Sequence, residues 1–207
     1  MQFNKQRWNT LLCKLNIQPQ CDEYEKLHNA YSEKHRFYHT KNHISECLEN
    51  LDWALSIGHW DYIPEIEMAL WYHDIVYDTK GINNELASAQ LCKTFLQNSG
   101  VATDHVETIH NMIMATKHTA LPGTESAKLI VDIDLAILGE KQERFLEYES
   151  QIRKEYRWVP WFVYKNKRRE ILSSFLDRPR IYFTDVFYNT FEDQARNNIN
   201  NSVAKLN

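Results

Sequence analysis

Three stretches of this chain carry the residue types that do chemistry. FYHTKNHISE, at positions 37–46, offers His39 and His43, and WYHDIVYD, at 71–78, offers His73 beside Asp74. The third, IVDIDLAILG at 130–139, sets Asp132 and Asp134 among aliphatic residues. A buried carboxylate is costly unless it is paired, hydrogen-bonded or bound to a metal. Imidazole nitrogens and carboxylate oxygens brought to one point make a mixed site for a divalent ion. Each residue also has a purely structural reading. His39 and His43 can be ordinary satisfied histidines, His73 and Asp74 a helix-end ion pair, and Asp132 a cap or a partner of Arg153.

Positioning these groups is a matter of helices. Apolar residues recur at helical spacing through nearly the whole chain. Trp8, Leu11, Leu12 and Leu15 form one stripe, and Tyr24, Leu27 and Tyr31 a second. Ile44, Cys47, Leu48, Leu51 and Leu55 form a third, with Asn42 expected as its N-cap. Pro64 suits the first turn of a helix carrying Ile66, Ala69, Leu70 and His73. Further stripes start at Leu86, Val106, Ala127, Phe145 and Tyr164, with stops near Gly100 and DRPR. A last helix around Phe187 and Phe191 is expected to fade into Asn197–Asn201. Neighbours on a helix diverge by about 100°. His73 and Asp74 can therefore serve one ion only where their helix ends, and IVYDTKGINN, which loses the helical period, lets it end there. Trp158, Trp161 and Phe162 are expected in the core, the alternatives being a pocket cover, a base-stacking platform or an interface.

Composition agrees with long helices. The 207 residues include only 5 Gly and 5 Pro, and 43% are apolar, so few breakers interrupt a sizeable core. The expectation is one all-α domain spanning 1–207, with a core from about 24 to 178 and helical extensions at both ends. A net charge of −4 gives no basic surface for duplex nucleic acid. The cluster Lys165, Lys167, Arg168 and Arg169 reads as a solvated helix face. Cys13, Cys21, Cys47 and Cys92 form no C-x-x-C pair. No apolar run approaches the ~20 residues of a membrane span, and no signal peptide is visible, so no membrane partner and a cytoplasmic location are expected.

The ordered blocks YHTKNHI, YHDIVYD, NNELASA, ATKH, DIDLAILG, IRKEY and ARNNI run from Tyr38 to Ile199. Together they resemble the HD-domain superfamily of metal-dependent phosphohydrolases, whose pattern is H…HD…D on an all-helical bundle. The resemblance implies His43 as first ligand, His73 and Asp74 as the doublet, and Asp134 as the last ligand, with Asp132 supporting it. Family members that release pyrophosphate from nucleotides often carry HDxxED. Here Asp78 matches, but Tyr77 replaces the Glu, and Glu85 is the carboxylate that could stand in. His118 resembles the extra histidine of members that hold a second metal or bind phosphate, and Lys117 lies beside it.

The implied chemistry is hydrolysis of a small phosphorylated substrate, a phosphomonoester or nucleotide, by a metal-activated water. A His2Asp2 set suits Mn, Fe, Co, Ni or Zn better than Mg. Asp78 or Glu85 would manage the water's proton. His39, Arg36, Lys117, His118 and Arg153 are candidates for the substrate, with a Glu149 ion pair as the structural alternative for Arg153. A non-catalytic metal- and ligand-binding sensor or partner-binding protein is the second expectation. A two-iron oxygenase would need His118 and Asp78 as added ligands.

Overall fold

The computed structural model describes residues 2–19 and 21–206, so positions 1, 20 and 207 of the expected span lie outside the described residues. Among the described residues every regular element is helical, as the sequence periodicity predicts. Contacts divide the chain into two compact units, residues 1–131 and 132–207.

The first unit holds α1 (Lys5–Lys14), α2 (Cys21–Ala30), α3 (Lys41–Ile57), α4 (Ile63–Tyr72), α5 (Asn84–Asn98) and α6 (Thr103–Ala115). Helix α7 (Glu125–Leu135) runs across the division. Helix α4 is buried along its whole length from Glu65 to Tyr72 and is packed by α1, α3, α5 and α6. That is the behaviour of a helix apolar on all sides. Its two carboxylates, Glu65 and Glu67, face His105 and Arg7 at 2.5 and 2.7 Å. Around it an aromatic core forms, with Trp8 edge-on to Trp71 at 5.3 Å and Tyr72 stacked on Phe95 at 6.0 Å. The Tyr31 hydroxyl donates to the Trp71 carbonyl at 2.9 Å, which satisfies an end carbonyl of α4 next to His73.

The second unit holds a 3-10 turn (Ala136–Gly139), α8 (Gln142–Glu155), α9 (Trp161–Leu176) and α10 (Asp185–Lys205). Its α10 packs on α9 and on the 3-10 turn. Two carboxylates clasp the main chain before α10. Glu192 accepts from the Ile181 and Tyr182 amides, and Asp132 from the Phe183 and Thr184 amides. Four consecutive donors are thus satisfied without a strand.

Three local expectations change. Thr40, not Asn42, caps α3, accepting from the Asn42 amide, because Asn42 already lies inside the helix. Helix α10 does not fade at Asn197–Asn201 but continues to Lys205. Asn198 there donates to the Leu138 and Glu140 carbonyls, and tertiary contact of this kind overrides weak helix propensity. Trp158, Trp161 and Phe162 are exposed rather than buried. Pro64 does sit in the first turn of α4, and Gly100, at φ 78°, follows the end of α5. Cys13, Cys47 and Cys92 are free thiols. No helix among the described residues is long and apolar enough to cross a membrane.

Candidate metal centre

Helix α4 ends at Tyr72 with His73 as its C-cap. Asp74 is already in the following turn, so the two side chains, adjacent in sequence, reach one point. His73 Nε2 lies 3.2 Å from Asp74 Oδ2. His43 arrives from the first turn of α3. Its Nε2 is 3.1 Å from His73 Nε2 and 3.5 Å from Asp74 Oδ2. His43 and His73 are buried and Asp74 is half-buried.

These separations are those of ligands sharing an ion. With metal–ligand bonds of about 2.1 Å, adjacent ligand atoms stand about 3.0 Å apart in octahedral geometry and about 3.4 Å apart in tetrahedral geometry. The tautomer fits as well. His73 Nδ1 lies 2.9 Å from the Leu70 carbonyl, an acceptor that keeps the proton on Nδ1 and turns the Nε2 lone pair toward the cluster. A lone pair facing another imidazole nitrogen and a carboxylate oxygen is satisfied either by a hydrogen bond from His43 Nε2 or by a metal ion shared among the three. Burial would raise the Asp74 carboxyl, but the neighbouring His73 and His39 and a hydrogen bond from His43 hold it well below the usual carboxylate range. It therefore offers an anionic oxygen.

Cys47, one turn after His43 on α3, was not among the residues chosen from sequence. Its Sγ lies 3.7 Å from both ring nitrogens of His43. His43, Cys47 and His73 each present a ligand atom within 4.8 Å of the others. The i, i+4 spacing of His43 and Cys47 was the available signal. A thiolate in the set would favour Zn or Fe over harder ions.

The remaining candidates take various positions. His39 stands at the edge, with Nε2 4.0 Å from Asp74 Oδ2 and its ring stacked on Tyr77 at 4.0 Å. Arg36, expected at the substrate, is engaged with the main chain. Its buried guanidinium donates to the carbonyls of Asp74, Ile75 and His39 at 2.6, 2.8 and 3.3 Å, and to Glu33 at 2.9 Å. A fork so occupied fixes the backbone that carries the ligands and has little left for a phosphate. Asp78 closes a turn, with Oδ1 accepting from the Lys80 amide at 2.9 Å. Glu85 is half-buried in the first turn of α5. That helix is tied to the segment beyond Asp74 by the Ser88 hydroxyl, which accepts from the Val76 amide at 3.1 Å. Lys117 is exposed and His118 half-buried in the turn after α6, where His118 has φ 56°.

In the second unit, Asp134 is half-buried in the last turn of α7. Asp132, fully buried, accepts from the Phe183 amide and from the Thr184 amide and hydroxyl at 2.7–2.8 Å. Burial pushes its carboxyl up to about 6 against the pull of those donors. Arg153 does not pair with Glu149. It donates to the Tyr156 and Val159 carbonyls beyond the end of α8, where cations suit the exposed carbonyls. Glu149 is taken by Arg168 and by the Ser202 hydroxyl.

Compared with known proteins, the chain matches no family model, no curated protein and no solved structure. The functional reading therefore rests on its own residues.

Proposed function

We propose that this protein is a metal-dependent phosphohydrolase acting on a phosphomonoester or nucleotide. The reading is supported above all by the separations of 3.1, 3.2 and 3.5 Å among His43 Nε2, His73 Nε2 and Asp74 Oδ2. His43, His73 and Asp74 would hold the ion, and Asp134 is proposed as the fourth ligand on the sequence pattern alone. A bound divalent ion supplies Lewis acidity, which polarises a phosphoryl oxygen and acidifies water. The chain's part is to hold the ligands, bind phosphate charge and manage a proton. Arg36 fixes the ligand-bearing backbone. His39, at the edge of the cluster, and Lys117 with His118 are proposed for the phosphate. Glu85 is proposed as the proton acceptor, because Asp78 already closes its turn. Hydrolysis of a phosphoester panel by the purified chain, with the metal counted, removed and restored, tests the proposal. Full metal content with no turnover on any member would reject it.

One observation favours a second reading, a metal- and ligand-binding sensor without turnover. Tyr77 stands where the pyrophosphate-releasing pattern has a Glu, and its ring stacks on His39 and lies 5.5 Å from the Arg36 guanidinium carbon. An aromatic ring over the edge of the site can cover a ligand but cannot accept a proton. Metal-dependent binding of a nucleotide with no turnover would select this reading.

A further inference from the structure

The α8–α9 turn carries an exposed apolar cluster that the metal site does not use. Trp158, Trp161, Phe162 and Val163 are 51, 55, 68 and 44% exposed. Single exposed apolar residues are ordinary, but four within positions 158–163, three of them aromatic, mark a candidate contact surface. The turn is rigidly built. Arg153 donates to the Tyr156 and Val159 carbonyls, and its guanidinium carbon lies 4.7 Å from the centre of the Tyr164 ring and 5.6 Å from that of Trp161.

Charge is concentrated at the same place. Positions 153–169 hold seven Lys and Arg against one Glu, in a chain of net charge −4. Arg168 is buried with Glu149 and Glu155 is buried, while Lys154, Arg157 and Lys167 are exposed. Lys167 contacts Glu170 at the surface. Trp161, Lys165 and Arg169 follow one another at four-residue steps, so a single stripe of α9 runs from ring to cations.

We propose that this turn docks on an anionic phospholipid surface. Successive residues of a helix point about 100° apart, so Trp161, Phe162 and Val163 fan round the tip of α9. A flat partner that covers one side would leave part of the fan in water. A lipid interface, which surrounds whatever enters it, can take all three, while the cations behind them meet headgroup phosphates. Aromatic rings beside Lys and Arg are the side chains that such an interface favours. The contact is with the surface and needs no spanning helix.

Co-sedimentation of the full chain with vesicles tests this. The chain should sediment with phosphatidylcholine vesicles containing phosphatidylserine, weakly with phosphatidylcholine alone, and less at high salt. The W161S/F162S variant and the K154E/R157E variant should each lower binding about tenfold or more. Both should keep the parent's helical circular dichroism and metal content. No binding to acidic vesicles, or equal binding to neutral ones, overturns the proposal. So does acidic-vesicle binding that both variants retain. A dimer that W161S/F162S disrupts, or binding to a single-stranded oligonucleotide, with no vesicle binding in either case, also overturns it and assigns the patch to that partner.

Discussion

Asp74 divides its work between main chain and side chain. Its carbonyl accepts from Arg36 at 2.6 Å, while its Oδ2 lies 3.2 Å from His73 Nε2. Asp74→Ala removes the carboxylate and leaves the carbonyl, so the variant should keep its helical circular dichroism and lose its metal. Full metal occupancy in Asp74→Ala would place the ion elsewhere. Protons compete with a metal for His43 and His73, and a free imidazole titrates near about 6.5. Metal affinity should therefore fall as pH falls through that region, and a titration flat from mildly alkaline to mildly acidic buffer would speak against histidine ligation. Glu85 is tested through the proton it is proposed to accept. Glu85→Gln keeps size and hydrogen bonding, so metal content should hold while single-turnover hydrolysis slows about 10²-fold or more. An unchanged rate would remove Glu85 from the mechanism.

At the scale of elements, the segment 181–184 depends on side chains for its hydrogen bonds. Asp132 serves two of its amides. Burial lifts the Asp132 carboxyl from an unfolded value near 3.8 to about 6. Between those values the folded chain holds a proton that the unfolded chain has released. Stability from this group is thus complete below about pH 4 and is lost as pH rises through about 6, by at most about 3 kcal/mol. Denaturant midpoints across pH 4–7 should show that decline in the parent and a flatter profile in Asp132→Asn. Matching slopes would mean the clasp carries no such linkage. The 3-10 turn and α10 meet even more closely. A Cβ on Gly139 would come 2.6 Å from the Cβ of Phe191 and 2.7 Å from its carbonyl oxygen. Backbone must move to admit it, so Gly139→Ala should destabilise by about 1–3 kcal/mol, read from the same denaturant curves.

For the whole molecule, an ion bound only by the folded chain adds stability by mass action. Free metal at about 100 times its dissociation constant contributes about 2.7 kcal/mol. Chelation should lower the thermal midpoint of the parent and leave that of Asp74→Ala unmoved. A parent midpoint indifferent to chelator, with metal shown to be removed, would mean that the unfolded chain holds the ion as tightly as the folded one, and would speak against a site built by the fold. In the folded chain Arg36 and the Leu70 carbonyl orient the site through protein contacts.

The sequence by itself determined the helices. Scarce Gly and Pro, and apolar residues at helical spacing, leave the backbone few alternatives, and the end of α4 at His73 was legible in the loss of that period after Asp74. His43, His73 and Asp74 could be chosen because their types are unusual beside apolar neighbours. Only the tertiary structure decided what each polar group faces. Arg36 looked like a phosphate ligand but is enclosed by three carbonyls, and Asp132 looked like support for a metal but clasps the start of α10. Cys47 was passed over as core and lies beside His43. The aromatics of the α8–α9 turn were expected inside and stand in solvent. Helical periodicity reports the phase of a side chain around its own axis. What stands opposite that side chain depends on residues distant in the chain, and in the cases of Arg36 and Asp132 that partner is main chain, which residue identity does not mark.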